Sequence, residues 1–296
     1  MTQYHITHTT TYDYSQPVSL CQNVAHLAPR PCHRQRAERP VLSITPDPAV
    51  IEERVDYFGN PVSYFTIQEP HRKLTVSVSH RIAVRPETPP VALTTQPWEQ
   101  IRDRLPWDRA ANWLDAYQFA FDSRYAAADP KYAAYATHSF TPGRPVLEAA
   151  LDLNHRIHSE FIYDPRATTL ATPVAEVFES RRGVCQDFAH LMLAGLRSVG
   201  LAGRYVSGYF STVPAPGKPR LVGADATHAW VSVFCGEAGW VDLDPTHDQI
   251  PGTRHVLLAW GRDYEDVSPL KGVILGGGKH SVRVAVDVHT EEPGET

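Results

Sequence analysis

Apolar and polar residues alternate with a period close to two through much of the first ninety positions. Tyr4-His5-Ile6-Thr7-His8-Thr9-Thr10-Thr11-Tyr12 is dense in β-branched and aromatic side chains, which pack well on a pleated surface. Residues 41–44 form a second short strand candidate. Residues 55–57 run into Phe58-Gly59-Asn60-Pro61, a turn signal, and residues 62–67 run back out, which predicts a hairpin. Leu74-Thr75-Val76-Ser77-Val78-Ser79-His80 alternates as a strand with one buried face should. The sum is a small antiparallel β-domain over residues 1–90, closed by the proline-rich stretch 85–97.

The period then changes. Residues 98–136 read as mostly helical with mixed periodicity. In residues 145–160, Val146, Leu147, Ala150, Leu151, Asn154 and Ile157 follow 3–4 spacing behind a proline suited to a first helical position. A short helix is predicted over 172–178, with Thr172 as N-cap and Pro173 next. Phe188, Met192, Gly195 and Val199 make one stripe of an apolar helix that opens at Cys185, and Gly200 supplies its left-handed stop. Strands are expected over 204–210, 228–234 and 240–244. A last strand is marked by Val282, Val284, Val286 and Val288. Residues 91–296 are therefore read as a second, α+β domain with a C-terminal strand and a polar tail.

Composition narrows the function classes. The chain has 296 residues, 42% hydrophobic and 21% charged, enough to bury a core and unlike a disordered chain. Its formal charge of −5 gives no concentrated positive surface for a nucleic-acid backbone. No apolar run approaches the ~18 residues of a membrane span, and residues 1–20 lack the apolar region of a secretory signal. The expectation is a cytoplasmic protein with neither nucleic acid nor membrane as partner. Four cysteines, Cys21, Cys32, Cys185 and Cys235, are too few for a disulfide framework in a chain this long.

One of them sits where chemistry is favoured. Cys185 follows Gly183-Val184 and opens the apolar helix, where unpaired backbone N–H groups and the helix dipole stabilise a thiolate. Gly183 permits a close approach and leaves space for a substrate backbone. A thiol nucleophile works best beside an imidazole that takes its proton. His228 begins a strand, with Trp230 on its face as a shield from water. The returning strand ends in Asp244, which could orient the imidazole, with Asp242 as a rival. Register decides between them. If Phe234 faces Trp240 across a five-residue loop, Asp244 lies diagonally from His228 on one face, roughly 7–8 Å away in the backbone. A four-residue loop would send Asp244 to the opposite face.

Gly183-Val184-Cys185-Gln186-Asp187-Phe188-Ala189-His190, Asp225-Ala226-Thr227-His228-Ala229-Trp230-Val231 and Gly239-Trp240-Val241-Asp242-Leu243-Asp244-Pro245-Thr246 together resemble the bacterial transglutaminase-like family, within the papain-like cysteine peptidase superfamily. Leu27-Ala28-Pro29-Arg30-Pro31 and Tyr57-Phe58-Gly59-Asn60 resemble the β-domain that precedes the core in that family, and residues 261–269 its usual C-terminal segment. The resemblance implies an α+β, papain-like core, with a central helix carrying Cys185 packed on an antiparallel sheet. It implies Cys185 as nucleophile, His228 as general base and acid, and Asp244 as orienting carboxylate. Oxyanion donors are expected from the Cys185 backbone N–H and from the Tyr163 hydroxyl, unless Tyr163 packs under its turn. Gln186, Asp225 and Trp230 are candidate pocket residues. The expected chemistry is acyl transfer on a peptide or protein amide through a thioester, hydrolytic by preference, with transamidation or a non-catalytic binding module as alternatives.

Rival sites have less in their favour. Cys185, His190, His228 and Cys235 are zinc-type ligands, but five positions on a helix place Cys185 and His190 about 140° apart. The stretch Cys21, His26, Cys32, His33 has no recognised zinc spacing. Gly276-Gly277-Gly278-Lys279-His280 lacks the first glycine and the Ser or Thr of a phosphate loop and reads as a turn. No Gly-x-Ser-x-Gly elbow exists. No metal or other cofactor is expected, and the oligomeric state is open.

Overall fold

The computed structural model describes residues 1–212 and 227–291. The chain opens with β1 (Thr2–Ala25), far longer than the pattern suggested. Then come β2 (Gln35–Ala37), β3 (Val41–Thr45), β4 (Val50–Val55), β5 (Pro61–Ile67) and β6 (His71–Val84). β1 pairs with β6 along its first half and with β5 along its second, with a register break between Asp13 and Val18 at Pro17. Proline cannot donate to a ladder, so the break falls where the sequence requires one. The expected turn at Phe58 to Pro61 joins β4 and β5, whose register runs from Val55–Pro61 to Val50–Thr66.

The helical region follows: α1 (Trp98–Arg104), α2 (Ala111–Tyr117), α3 (Pro130–Thr137) and α4 (Val146–Glu160). Most of the stripe read from the sequence is the buried side of α4, where Val146, Leu147, Ala150 and Ile157 are inaccessible, but Leu151 is only half-buried and Leu153, which the spacing did not mark, is inaccessible instead. β7 (Ile162–Tyr163), α5 (Val174–Ser180) and β8 (Arg182–Gly183) lead into α6 (Cys185–Ser198). From Asp187 to Arg197 every residue of α6 is buried, so this helix is the centre of the second domain. Gly200 ends it at φ +81°, as its sequence position implied.

Against α6 packs an antiparallel sheet ordered β11-β10-β9-β12, made of β9 (Gly203–Phe210), β10 (Thr227–Phe234), β11 (Trp240–Leu243) and β12 (His255–Gly261). Ala229, Val231, Val233, Leu243 and Ala259 join the α6 side of the core. The short α7 (Tyr264–Val267) precedes β13 (Leu270–Gly276) and β14 (His280–Glu291). Both last strands return to the first sheet and pair with β1. The strand expected to close the second domain thus hydrogen-bonds within the first sheet. The triple glycine between them, all at positive φ, is the turn that joins them. Where the two sheets meet, Tyr4, Ile6, Ile82, Val84, Val286 and Val288 form one apolar cluster with Tyr209, Val256 and Leu258. Among the described residues no helix is long and apolar enough to cross a membrane. The architecture is α+β, an antiparallel β-domain fastened to a helix-on-sheet core.

Candidate active site

Two local features hold Cys185 at the mouth of α6. β7 lies parallel to β8, with Tyr163 paired to Gly183. Inside α6, Asp187 turns back so that its Oδ2 accepts the Val184 N–H at 2.8 Å and the Thr168 hydroxyl at 2.6 Å. This fold-back explains Gly183. A Cβ there would lie 2.9 Å from both Cβ and Oδ2 of Asp187, so the space expected to admit substrate is filled by the Asp187 side chain. Burial pushes the Asp187 carboxyl upward, against those two hydrogen bonds.

His228 sits at the start of β10, opposite Gly208 in β9. Gly208 is required by close approach: a Cβ there would fall 2.1 Å from the Val256 carbonyl and 2.5 Å from the Trp230 ring. β10 and β11 adopt the register with Phe234 opposite Trp240, the arrangement that brings Asp244 to the His228 face. His228 Nε2 donates to Asp244 Oδ2 at 2.8 Å. Cys185 is the other side chain acting on this imidazole, raising its pKa alongside Asp244. Burial alone would lower the His228 pKa, but the hydrogen bonds and negative charge of Asp244 and Cys185 outweigh it and push it up to about 10.

Asp244 is inaccessible to solvent and more crowded than a triad requires. Its Oδ2 also accepts from His247 Nδ1 at 2.8 Å and His255 Nε2 at 3.0 Å, and its Oδ1 from the Thr246 N–H at 2.9 Å. Burial would raise its pKa, yet the three imidazole donors hold the carboxyl far below the usual carboxylate range. His255 is pulled the other way: burial lowers its pKa, with the Asp244 bond opposing. Sequence reading missed His247 and His255. The first follows Asp244 within three residues, a signal that proximity offered; the second lies in β12, a strand the pattern did not reveal. His228, Asp244 and His247 each offer a ligand atom within 4.8 Å of the others, a donor set that could take a transition metal if the shared protons were displaced. The zinc set considered from sequence does not assemble. His190 accepts the Tyr264 N–H at 3.2 Å, and Cys235 is buried with its thiol toward the Val233 carbonyl.

The other candidates divide clearly. Tyr163 lies near Cys185, whose charge is among the causes that raise the phenol pKa, after burial. Gln186 is half-buried on the first turn of α6. Trp230 is fully buried and faces no solvent; its indole N–H donates to Asp242 Oδ2 at 3.0 Å, and its ring backs His228 with centroids 6.1 Å apart. Asp242 is thereby occupied and does not bond His228. Asp225 lies outside the described residues.

Residues 4–83 match the bacterial transglutaminase-like N-terminal region, and residues 133–245 the transglutaminase-like superfamily. The chain belongs to the bacterial transglutaminase-like family. Other members include an uncharacterized protein of Mycobacterium tuberculosis, 43% identical over 97% of this chain and 92% of its own length. An uncharacterized protein of Mycobacterium leprae is 33% identical over 97% and 99%. A solved candidate cysteine protease from Cytophaga hutchinsonii shares the fold of this transglutaminase-like chain, with a TM-score of 0.76 at 22% identity, covering 100% of this chain and 92% of the other.

Proposed function

We propose that the protein is a cysteine-dependent acyl-transfer enzyme acting on peptide or peptide-like amides, with hydrolysis as its reaction. The observation that carries this reading is the buried His228–Asp244 pair, bonded through Nε2 at 2.8 Å, with Cys185 at the start of α6 as the other group acting on the same imidazole. Cys185 attacks the amide carbonyl as thiolate. The oxyanion is met by the Cys185 backbone N–H, one of the groups left unpaired at a helix start, with the Tyr163 hydroxyl as second donor. His228, held protonated by Asp244, gives its proton to the leaving amine, and a thioester remains. Water enters, His228 takes its proton, and the acid product leaves. Gln186, half-buried on the first turn of α6, lines the approach. No metal or cofactor enters this scheme. We place the enzyme in the cytoplasm, where its four cysteines, all unpaired, stay reduced.

Transamidation uses the same first half and replaces water by an amine. One relative favours it as a second reading: a Pseudomonas aeruginosa protein named protein-glutamine gamma-glutamyltransferase is 34% identical over 99 residues, 31% of this chain and 15% of that one. The test is incubation with a glutamine-containing peptide and a labelled primary amine, following ammonia release and label incorporation. Ammonia without label, abolished by Cys185→Ala, is the hydrolytic result. Label uptake would replace it with transamidation. Neither product from a broad peptide panel, with a Cys185 no more reactive to iodoacetamide than Cys32, would favour a binding module.

A further inference from the structure

On the face of the β11-β10-β9-β12 sheet that carries Trp230, beneath the linker after β6, lies a cavity of about 330 Å³. None of Cys185, His228 and Asp244 lines it, and Val206 and Leu257 in its wall pack on the buried Trp230. Arg34 and Arg204 both line it, and their side chains are only 7% and 6% exposed. A guanidinium carries five N–H donors and no acceptor, so a buried one needs several partners. Among the described residues these two have almost none. Arg34 makes only an ion pair, Nη2 to Asp242 Oδ2 at 3.3 Å, with geometry too poor for a hydrogen bond. Arg204 bonds Asp115, and its Nε is buried without a partner.

The acceptors around the cavity are in the opposite condition. Asp242 Oδ2 takes the Trp230 N–H as well as the Arg34 contact, and Glu87 at the mouth accepts from His33 at 2.7 Å. Both carboxylates thus already meet a donor, and the unmatched groups are the guanidiniums, whose planar forks carboxylates match in pairs of parallel bonds. The Arg204 fork is fixed by stacking 3.7 Å from the Trp240 ring centre and 4.4 Å from that of Trp260. Trp260, Val206 and Leu257 supply an apolar stretch of wall beside it.

We propose that this cavity binds a small carboxylic acid with an aromatic or branched apolar body, its carboxylate held by the free donors of Arg34 and Arg204 and its body against Trp260, Val206 and Leu257. The volume lies at the small end of ligand pockets, which suits a single amino-acid-sized acid. The proposal does not depend on Cys185 being catalytic.

The test is titration of the full chain with N-acetyl-L-phenylalanine and, in parallel, N-acetyl-L-phenylalaninamide, read by indole fluorescence. A second reading is protection of Cys32, a half-buried thiol in the cavity wall, from a thiol reagent. The acid should bind about tenfold or more tighter than the amide, since the difference is a charge-assisted pair of hydrogen bonds. It should protect Cys32 without protecting Cys185, and Arg34→Gln should erase its advantage. Equal binding of acid and amide, no binding of either up to about 10 mM, or full affinity in a folded Arg34→Gln variant would each overturn the proposal. If that variant does not fold, the acid-to-amide ratio and Cys32 protection in the wild type decide.

Discussion

Asp244→Asn is the sharpest test of the charge arrangement at the candidate active site. The substitution keeps shape and volume and removes one negative charge from a site with no solvent access. Raising the His228 pKa from 6.5 to about 10 corresponds to roughly 5 kcal/mol in favour of the imidazolium, at about 1.36 kcal/mol per pH unit. Asp244 and Cys185 are the two groups that raise it against burial, so losing the Asp244 charge removes a few kcal/mol, a factor on the order of 10². The amide also changes the proton pattern. With an N–H₂ group facing it, His228 Nε2 becomes an acceptor and the ring hydrogen moves to Nδ1, so the ring can no longer take the thiol proton. Iodoacetamide alkylation of Cys185 at mildly acidic pH, followed by mass spectrometry, should therefore slow by about two orders of magnitude. Amide turnover should fall by about 10³–10⁴, as when other orienting carboxylates are lost. Alkylation within about threefold of wild type, in a variant with an unchanged circular dichroism spectrum, would refute this account of the Cys185–His228 pair.

The same charges set a pH dependence of stability. His228 is raised, so its contribution is whole below pH 6.5 and fades as pH climbs toward about 10. Asp244 is depressed, so its contribution is whole above the ordinary carboxylate range and fades on acidification below it. His8 and His80, both buried and lowered by burial to about 4, act in the acid limb: stability held above pH 6.5 is lost as pH falls through 4. Neither ring nitrogen of His80 has a partner, so His80→Phe should gain roughly 2 kcal/mol over wild type at pH 5 and little at pH 7, by urea melts. Gly208→Ala forces a Cβ to 2.1 Å from the Val256 carbonyl and should destabilise by about 3 kcal/mol or more in the same melts, whereas strain-free tolerance would contradict the Trp230 packing. Cys185→Ala should abolish turnover while shifting stability by less than about 1 kcal/mol, because the side chain is only partly buried.

Local patterns carried the parts of this protein that neighbouring residues decide. The α6 stripe and its Gly200 stop and the β4–β5 turn follow from turn chemistry and side-chain periodicity, which act over a few residues, whereas the β10–β11 register, open between two loop lengths in the sequence, was decided by the structure. The candidate triad was legible because its members lie at a helix start and two strand ends, and because three ordered motifs resemble one family. The length of β1 was not, since it bends at Pro17 and its halves serve different partners. Nor was the place of the last strand. Val282 to Val288 have one alternating pattern, yet Val286 and Val288 are buried against β9 and β12 while Val282 and Val284 are 46% and 54% exposed, because the second domain covers only one end of the strand. His247 and His255 around Asp244, the Asp187 fold-back over Gly183, and the near-buried Arg34 and Arg204 forks arise from contacts between segments far apart in the chain. Such contacts depend on which surfaces the packed core leaves facing one another, and no local spacing encodes that.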